Sequence, residues 1–232
     1  MSVKVKLRKT SLVDYPGCIS SVIFFRGCNL RCPWCHNRDL VLYEGDADTD
    51  ACDENRLVTL EEVFAHLLKR RTVLGGVVLS GGEPCLYEGL PDLIFEIKKI
   101  PLAVKLDTNG MFPVVLGKLF SCEKTRPDYI AMDLKLSPER YTELLPPSAG
   151  PLFSQNSSNP AADIVQSAAL IRASGIPHEF RSLELPKAYF TEKDKEALAP
   201  LAGDSPWILR PFRGGNCLDP VWDSFEQFSK LC

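Results

Sequence analysis

Six short apolar runs alternate with helical patterns along this 232-residue chain, and that alternation limits the fold more than any other feature. The runs, rich in Val, Ile and Leu, are Ile19–Phe25, Gly76–Ser80, Leu102–Asp107, Asp128–Leu134, Glu179–Leu185 and Trp207–Pro211. Strands that are nearly continuous in apolar residues are typical of a parallel sheet covered by helices on both faces. The alternation therefore predicts an α/β fold with right-handed crossovers. Six strand–helix units are fewer than the eight of a closed barrel, so we expect a partial, open (β/α)6 barrel.

Helix signals lie between these runs. The segment Thr59–Glu62 fits a capping box, which begins a helix. Apolar residues at helical spacing span Leu90–Ile97. A proline before Ala161–Ala173 and a glycine just after it favour a helix there. A shorter amphipathic helix is predicted over Thr191–Leu201.

The sequence shows no firm domain boundary. We expect a single domain over residues 1–232, with an N-terminal strand within 1–17, a core over about 18–212 and a C-terminal tail over about 213–232. Two long loops, Gly45–Arg56 and Pro146–Pro160, interrupt the pattern; the second is predicted to be mobile or to contact a partner.

Composition excludes several classes of function. A net charge of −3 gives no electrostatic reason to expect nucleic acid as a partner. No apolar stretch approaches the length of a membrane span, and the first residues do not resemble a signal peptide. Nine cysteines, an odd number without an export signal, argue against a disulfide framework. We therefore expect a cytoplasmic protein with thiol or metal chemistry.

Three of the nine cysteines lie within eight residues, directly after the first apolar run. They are Cys28, Cys32 and Cys35, and a loop with this spacing can wrap around one inorganic centre but leaves it one protein ligand short. Structural zinc normally takes four protein ligands. A [4Fe–4S] cluster held by three cysteines keeps one iron open for chemistry. A zinc site completed by His36 or a distant cysteine, in a non-catalytic interaction module, is the alternative.

A second motif, Ser80–Pro84, follows the second run at the same end of the predicted sheet. Gly81 and Gly82 allow the backbone to approach a ligand closely, and the Glu83 carboxylate can pair with an ammonium group. Alone this motif is a weak signal, because it also suits a simple strand-to-helix turn. In consecutive strand-end loops, the two motifs are far more specific.

With these two motifs the chain resembles the radical S-adenosylmethionine (SAM) enzymes. The resemblance covers nearly the whole chain. The resemblance implies that Cys28, Cys32 and Cys35 ligate a [4Fe–4S] cluster and that SAM chelates its open iron. It also implies that Gly81–Glu83 lies at the SAM amino group. The reduced cluster would cleave SAM to methionine and a 5′-deoxyadenosyl radical, which takes a hydrogen atom from the substrate.

Two further segments narrow the resemblance. Leu12–Gly17 and Cys35–Asn37 look like segments of the activating enzymes of glycyl radical enzymes, most of all anaerobic ribonucleoside-triphosphate reductase activating proteins. The substrate would then be a glycyl radical enzyme, and electrons would come from a flavodoxin or ferredoxin. Because Leu40–Leu57 holds only Cys52, auxiliary clusters are not expected. A radical SAM enzyme acting on a small molecule, similar to 7-carboxy-7-deazaguanine synthase, is the alternative.

The same resemblance assigns further site residues. In related activating enzymes, aspartates and adjacent carbonyls hold a monovalent cation near the SAM carboxylate, and the matching positions here are Asp107, Thr108, Ala131 and Asp133. Two carboxylates would repel an anionic ligand unless a cation or Lys135 intervenes. Arg181 matches an arginine that contacts SAM. Trp34, between two cluster ligands, is expected to shield the cluster or lie by adenine.

Overall fold

The apolar runs form the strands of an α/β sheet. In the computed structural model, which describes residues 3–41, 56–146 and 159–225, eight strands form one sheet in the order β3-β1-β2-β4-β5-β6-β7-β8. The strands are β1 (Lys4–Ser11), β2 (Ser20–Phe25), β3 (Leu57–Thr59), β4 (Gly76–Gly81), β5 (Ala103–Thr108), β6 (Tyr129–Asp133), β7 (His178–Glu184) and β8 (Trp207–Pro211). Each of the six predicted strands is present, with ends within one residue of the prediction.

Helices follow the strands as the pattern predicts. The α-helices are α1 (Arg38–Val41), α2 (Leu60–Arg70), α3 (Leu90–Lys99), α4 (Pro113–Phe120), α5 (Pro160–Ala173) and α6 (Glu192–Ala202). Three 3₁₀ helices are η1 (Pro84–Leu86), η2 (Pro138–Leu144) and η3 (Pro220–Ser224). Helices α1 and α4, the 3₁₀ helices and the short strand β3 were not predicted. Among the described residues, no helix has the length and apolar character needed to cross a membrane.

Parallel pairing dominates the sheet. Strand β2 pairs in parallel with β4, β4 with β5, and β7 with β8. Strand β1 is antiparallel to both β2 and β3, so the N-terminal strand is confirmed although its direction was not predicted. This is the α/β class expected from the alternating runs.

The chain divides into two compact units. The first comprises Met1–Cys28, Asp39–Asp107 and Lys118–Ile130, and the second Asn29–Arg38, Thr108–Gly117 and Ala131–Cys232. The single-domain organisation stays a prediction. Apart from their end residues, the two long loops lie outside the described residues.

The first unit has its core between β2, β4 and β5 and the helices that follow them. Val22, Val78 and Leu106 are fully or almost fully buried, and α3 adds the buried stripe Leu90–Ile97. Burying a side chain of this size contributes about 1.5–3 kcal/mol. At the start of α2 the predicted capping box is confirmed: Glu62 N donates to Thr59 Oγ1 at 3.3 Å, and Thr59 N donates to Glu62 Oε2 at 2.9 Å.

The second unit has its core between β7, α5 and η2. Phe180, Tyr141 and Ile171 are fully buried there. A second capping box begins α6, where Asp194 N donates to Thr191 Oγ1 at 3.2 Å and Thr191 N donates to Asp194 Oδ2 at 2.8 Å. The helix ends at Gly203, whose N–H donates to the carbonyl of Ala199.

Candidate functional site

In the first unit, the predicted site residues lie at or just after the carboxyl ends of three parallel strands. Phe25 at the end of β2 lies opposite Gly81 at the end of β4, and Cys28 follows three residues after Phe25. Leu79 lies opposite Leu106, so Asp107 is level with the last residues of β4. The cysteine loop, the glycine motif and Asp107 therefore leave the same edge of this part of the sheet.

The loops after β2 and β4 are packed against each other. Gly82 N donates to the Phe25 carbonyl and Glu83 N donates to the Gly27 carbonyl, both at 2.9 Å. A Cβ on Gly82 would overlap the Gly27 carbonyl, and one on Gly81 would overlap the backbone of Phe25. Gly81 also has a φ of +116°, which disfavours other residues. The two glycines are therefore required for the glycine loop to lie against the residues that lead into Cys28.

Glu83 has a structural role in this loop. Its side chain is buried, and Oε1 accepts a hydrogen bond from Cys85 N at 3.0 Å, which caps η1. One carboxylate oxygen therefore fixes the turn. The predicted contact of Glu83 with the SAM amino group stays a prediction.

Asp107 forms an ion pair with its own strand. Lys105 and Asp107 are two residues apart on β5 and so point to the same face. Lys105 Nζ lies 2.5 Å from Asp107 Oδ1, and the two side chains are 2% and 15% exposed. Lys105 Nζ also lies 6.0 Å from the centroid of the Tyr129 ring. The sequence analysis assigned no role to this lysine.

In the second unit, the C-terminal segment holds the loop that carries Cys32 and Cys35. Cys35 N donates to the Cys32 carbonyl at 3.0 Å, closing a turn. Leu218 N donates to the Cys35 carbonyl and Asp219 N to the Pro33 carbonyl, both at 2.9 Å. Two backbone hydrogen bonds therefore tie this half of the cysteine loop to the tail that follows β8.

Aromatic packing reinforces this attachment. Trp34 is 5% exposed, and its ring lies 5.3 Å from that of Trp222 on η3. His36 Nε2 lies 2.7 Å from the carbonyl oxygen of Arg213, and the His36 ring packs on Phe212 at 5.6 Å. Trp34 is thus a packing residue of the second unit, and its predicted contact with a cofactor stays a prediction.

Cys217, in the same tail, is a buried thiol. Burial, together with a hydrogen bond that the thiol donates to the carboxylate of the neighbouring Asp223, raises its pKa to about 11. It is therefore protonated at neutral pH. A protonated thiol is neither the nucleophilic nor the metal-binding form of cysteine.

Asp133 lies between two basic side chains. Arg181 Nε donates to its Oδ1 at 2.9 Å, and Lys135 Nζ donates to its Oδ2 at 3.3 Å. Burial alone would raise the pKa of Asp133, but the charges of Arg181 and Lys135 outweigh it and lower the pKa to about 2. Asp133 is therefore an anion at neutral pH.

Lys135 is held in a negative environment. Burial opposes its charge, but the charge of Asp133, followed by the influence of Cys32 and Cys35, raises its pKa above the usual value for lysine. The hydroxyl of Tyr141 accepts from Lys135 N at 3.0 Å and donates to the Asp133 carbonyl at 3.3 Å. The structure thus brings Lys135 near two of the three predicted cluster ligands.

Sequence reasoning missed a buried pair of asparagines. Asn109 Nδ2 donates to Asn29 Oδ1 at 2.7 Å, and Asn109 Oδ1 accepts from Met111 N at 3.0 Å. Asn29 lies inside the cysteine loop and Asn109 follows β5, and both belong to the second unit, so the pair joins two segments within that unit. Their separation of 80 residues leaves no spacing signal that could have revealed the pair.

The three cysteines differ in burial: Cys32 is buried, whereas Cys28 and Cys35 are half-buried. Within residues 3–41, 56–146 and 159–225, no group of three or more His, Cys, Asp or Glu side chains is arranged to hold a single metal ion. Thiolates are the protein ligands of iron–sulfur clusters, and the donor set of three cysteines suits one. The assignment of these residues as ligands stays a prediction.

Comparison with known proteins identifies the class. Residues 22–185 match the sequence model of the Radical SAM superfamily, which is more than half of the chain. The protein is therefore an enzyme that belongs to the radical SAM superfamily, whose members use a [4Fe–4S] cluster and SAM. Membership decides against the alternative of a non-catalytic zinc-binding module.

Relatives of this chain include activating enzymes. A protein of Methanocaldococcus jannaschii, provisionally named a glycyl-radical enzyme activating enzyme, is 29% identical over 226 residues, which cover 95% of this chain and 82% of the relative. The pyruvate formate-lyase-activating enzyme of Clostridium pasteurianum is 36% identical over 109 residues, covering 45% of this chain and 42% of the relative. The pyruvate formate-lyase 1-activating enzyme of Escherichia coli (strain K12) is 35% identical over 131 residues, covering 53% and 48%. The chain thus matches less than half the length of these last two relatives.

Solved structures share the fold. Methylornithine synthase superposes with a TM-score of 0.59 at 16% identity, covering 92% of this chain and 58% of that protein. Streptococcus suis SuiB bound to S-adenosylmethionine superposes with a TM-score of 0.55 at 12% identity, covering 89% and 44%. At such identities the likeness shows the fold alone, and it confirms the fold class expected from the sequence.

Proposed function

We propose that this enzyme activates a glycyl radical enzyme by removing a hydrogen atom from one of its backbone glycines, and that the partner is an anaerobic ribonucleotide reductase. The observation that carries the proposal is the similarity to the Methanocaldococcus jannaschii protein along 95% of this chain, 29% identical. The segments Leu12–Gly17 and Cys35–Asn37 support the choice of partner. The pyruvate formate-lyase-activating relatives favour pyruvate formate-lyase as the second candidate partner.

In this proposal Cys28, Cys32 and Cys35 hold the cluster, and Gly81–Glu83 receives the amino group of SAM. When bound, the reduced cluster and SAM supply the one-electron chemistry that removes the hydrogen atom. The close packing of the glycine loop on Gly27 supports this assignment, because it fixes the backbone that leads into Cys28. A fixed loop orients the cofactor without reorganisation during the reaction.

Lys135 and Arg181 receive the SAM carboxylate in this proposal. Both are basic, both already contact Asp133, and Cys32 and Cys35 are among the groups that raise the pKa of Lys135. A carboxylate that enters this cluster of charges meets two cations and one anion. The net positive charge favours its binding.

Electrons come from a flavodoxin or ferredoxin in this proposal, and the reaction takes place in the cytoplasm, where thiols stay reduced. A protein substrate needs an accessible site, and the half-buried Cys28 and Cys35 agree with that need.

The test is formation of a glycyl radical in a candidate partner. Anaerobically reconstituted enzyme is mixed with SAM, a reductant and either anaerobic ribonucleotide reductase or pyruvate formate-lyase from the same host. We expect the electron paramagnetic resonance doublet of a glycyl radical with the reductase, and none when Cys32→Ser enzyme is used. A doublet with pyruvate formate-lyase alone would replace the proposed partner. Silence with both, together with turnover of a small-molecule substrate, would overturn the proposal.

A further inference from the structure

The lysine in the middle of β5 carries an inference beyond this function. Lys105 is 2% exposed, and its ammonium lies 2.5 Å from one carboxylate oxygen of Asp107. A buried ammonium group is retained only where a partner compensates for its lost hydration. Both residues belong to one strand and share a face, so the pair is fixed by the backbone and does not depend on a bound ligand.

Asp133, the predicted cation ligand that carries a carboxylate in the second unit, also has partners. Both carboxylate oxygens of Asp133 accept from basic groups, Oδ1 from Arg181 and Oδ2 from Lys135. The hydroxyl oxygen of Thr108 accepts from Gly110 N at 3.2 Å. The carboxylate oxygens of Asp133 are among the predicted ligands of a monovalent cation, whereas the positions next to the aspartates, Thr108 and Ala131, were predicted to offer backbone carbonyls.

The surroundings of Asp107 and Asp133 are not suited to bind an additional monovalent cation. At Asp107 a metal cation would stand beside the ammonium of Lys105, and at Asp133 beside a guanidinium and a second ammonium. Like charges at such distances in a site of low dielectric constant repel strongly. The chain thus supplies from its own side chains the positive charge that the cation was expected to bring.

We propose that Lys105 is a built-in counter-ion for Asp107 that takes the place of the monovalent cation, so that SAM binds without any added monovalent cation. Lys105 acts here as a positioning residue, because it keeps the strand-end carboxylate neutralised rather than contacting SAM. This inference rests on the proposed function, since it concerns how the same site receives SAM.

The first experiment uses the reconstituted wild-type enzyme. The dissociation constant of SAM is measured by isothermal titration calorimetry in buffers of equal ionic strength whose monovalent cation is tetramethylammonium, Na⁺ or K⁺. Tetramethylammonium is too bulky to enter a cation site. We expect the dissociation constant to agree within about twofold across the three buffers, since coupling to a real effector site is typically about fivefold or more.

Two variants test whether the charge of Lys105 replaces a monovalent cation in SAM binding. Lys105→Met keeps the aliphatic stem but removes the charge, and we expect SAM binding to weaken about tenfold in tetramethylammonium and to recover in K⁺ or Na⁺. The double variant Lys105→Met/Asp107→Asn removes both charges, so its SAM binding should not depend on the cation. Lys99→Met, at an exposed lysine of α3, is the matched control and should bind SAM as the wild type does.

The outcomes separate the two proposals. Tighter SAM binding by the wild type in K⁺ or Na⁺, by about tenfold or more, would overturn the counter-ion inference and leave the proposed function standing. Failure of the wild type to bind SAM in every buffer would overturn the proposed function. The wild-type series decides the inference even if Lys105→Met does not fold.

Discussion

At the scale of single residues, Asp194 concentrates more hydrogen bonds than its place in a helix cap requires. Its carboxylate accepts from Thr191 N and Oγ1, from Ser137 N and from Arg140 Nη1, at 2.8–3.0 Å. The side chain is 1% exposed. One buried anion therefore joins the start of α6 to the start of η2 in the second unit.

We expect Asp194→Ala to lower the free energy of unfolding by about 3 kcal/mol, since buried donors lose a charged acceptor. Burial raises the pKa of Asp194, but the hydrogen bonds from Thr191 and Ser137 outweigh it and lower the pKa overall. The stability from this group is thus present above the unfolded value of about 3.9 and is lost as the pH falls through the folded pKa. Urea unfolding between pH 3 and 7 measures both effects. The exposed Asp204→Ala is the control, and an Asp194→Ala variant with unchanged acid sensitivity would contradict the assignment.

Substitution of glycine by alanine should lower the free energy of unfolding at Gly82 and raise it at Gly117. In Gly82→Ala the new methyl group overlaps the Gly27 carbonyl, so the loops after β2 and β4 must separate. We expect a loss of about 2 kcal/mol in the free energy of unfolding and a lower iron content after reconstitution. In Gly117→Ala, within α4, nothing lies within 4 Å of the added Cβ. That variant should gain about 0.5–1 kcal/mol, because alanine favours a helix over glycine. Equal effects of the two substitutions in guanidinium unfolding would argue against the close packing of the loops.

At the scale of elements, η3 holds the cysteine loop by way of Trp222. Its ring lies 5.3 Å from Trp34, 4.5 Å from Tyr189 and 5.6 Å from Phe212. The backbone hydrogen bonds that Leu218 and Asp219 donate to the cysteine loop add to this packing. The tail is therefore part of the support of the loop and not only an appendage of β8.

We expect Trp222→Ala to cost about 3–5 kcal/mol of stability and to speed the loss of iron to a chelator. The reason is that both the ring packing and the alignment of the tail with Pro33–Cys35 weaken together. Val221→Ala, on the same 3₁₀ helix but 63% exposed, is the matched control. The measurement is the decay of cluster absorbance after addition of the chelator. Equal decay rates in the two variants would show that the tail does not support the loop.

The elements that the sequence predicted have one of three local signals: a short continuous apolar run, a helical period or a cap. Strand β8 begins and ends at the predicted residues Trp207 and Pro211, and α2 begins at its capping box. Helix α4 was missed because Pro113–Phe120 is apolar almost throughout and contains a glycine, so its letters also suit a buried strand. The 3₁₀ helices were missed because elements of three to seven residues are too short to show a period.

At the scale of the whole molecule, the sequence predicted which strand ends carry the candidate site. It did not predict which charged side chains are buried and paired there. Cys28, Gly81 and Asp107 lie at or just after the carboxyl ends of strands that pair in parallel, and the alternation along the chain predicts that pairing. The burial of Lys105 and the contact of Asn29 with Asn109 depend on tertiary packing, which no local pattern encodes. Asp133 illustrates the same limit, because its two basic partners lie 2 and 48 residues away.

Thermal unfolding of the whole protein should show whether SAM binds only when the iron–sulfur cluster is already present. A ligand that binds only the folded state stabilises it by about 2.7 kcal/mol at a hundred times its dissociation constant. If SAM chelates an iron of the cluster, SAM should raise the melting temperature of the reconstituted enzyme and leave that of the iron-free protein almost unchanged. Differential scanning calorimetry of both forms, with and without SAM, measures the difference, and iron and sulfide analysis of the same samples gives the cluster content. Lys98→Met, at a surface lysine of α3 paired with Asp128, is the control for unspecific charge effects. Equal stabilisation of both forms would place SAM away from the cluster, because its binding would then need only groups that remain when iron is removed.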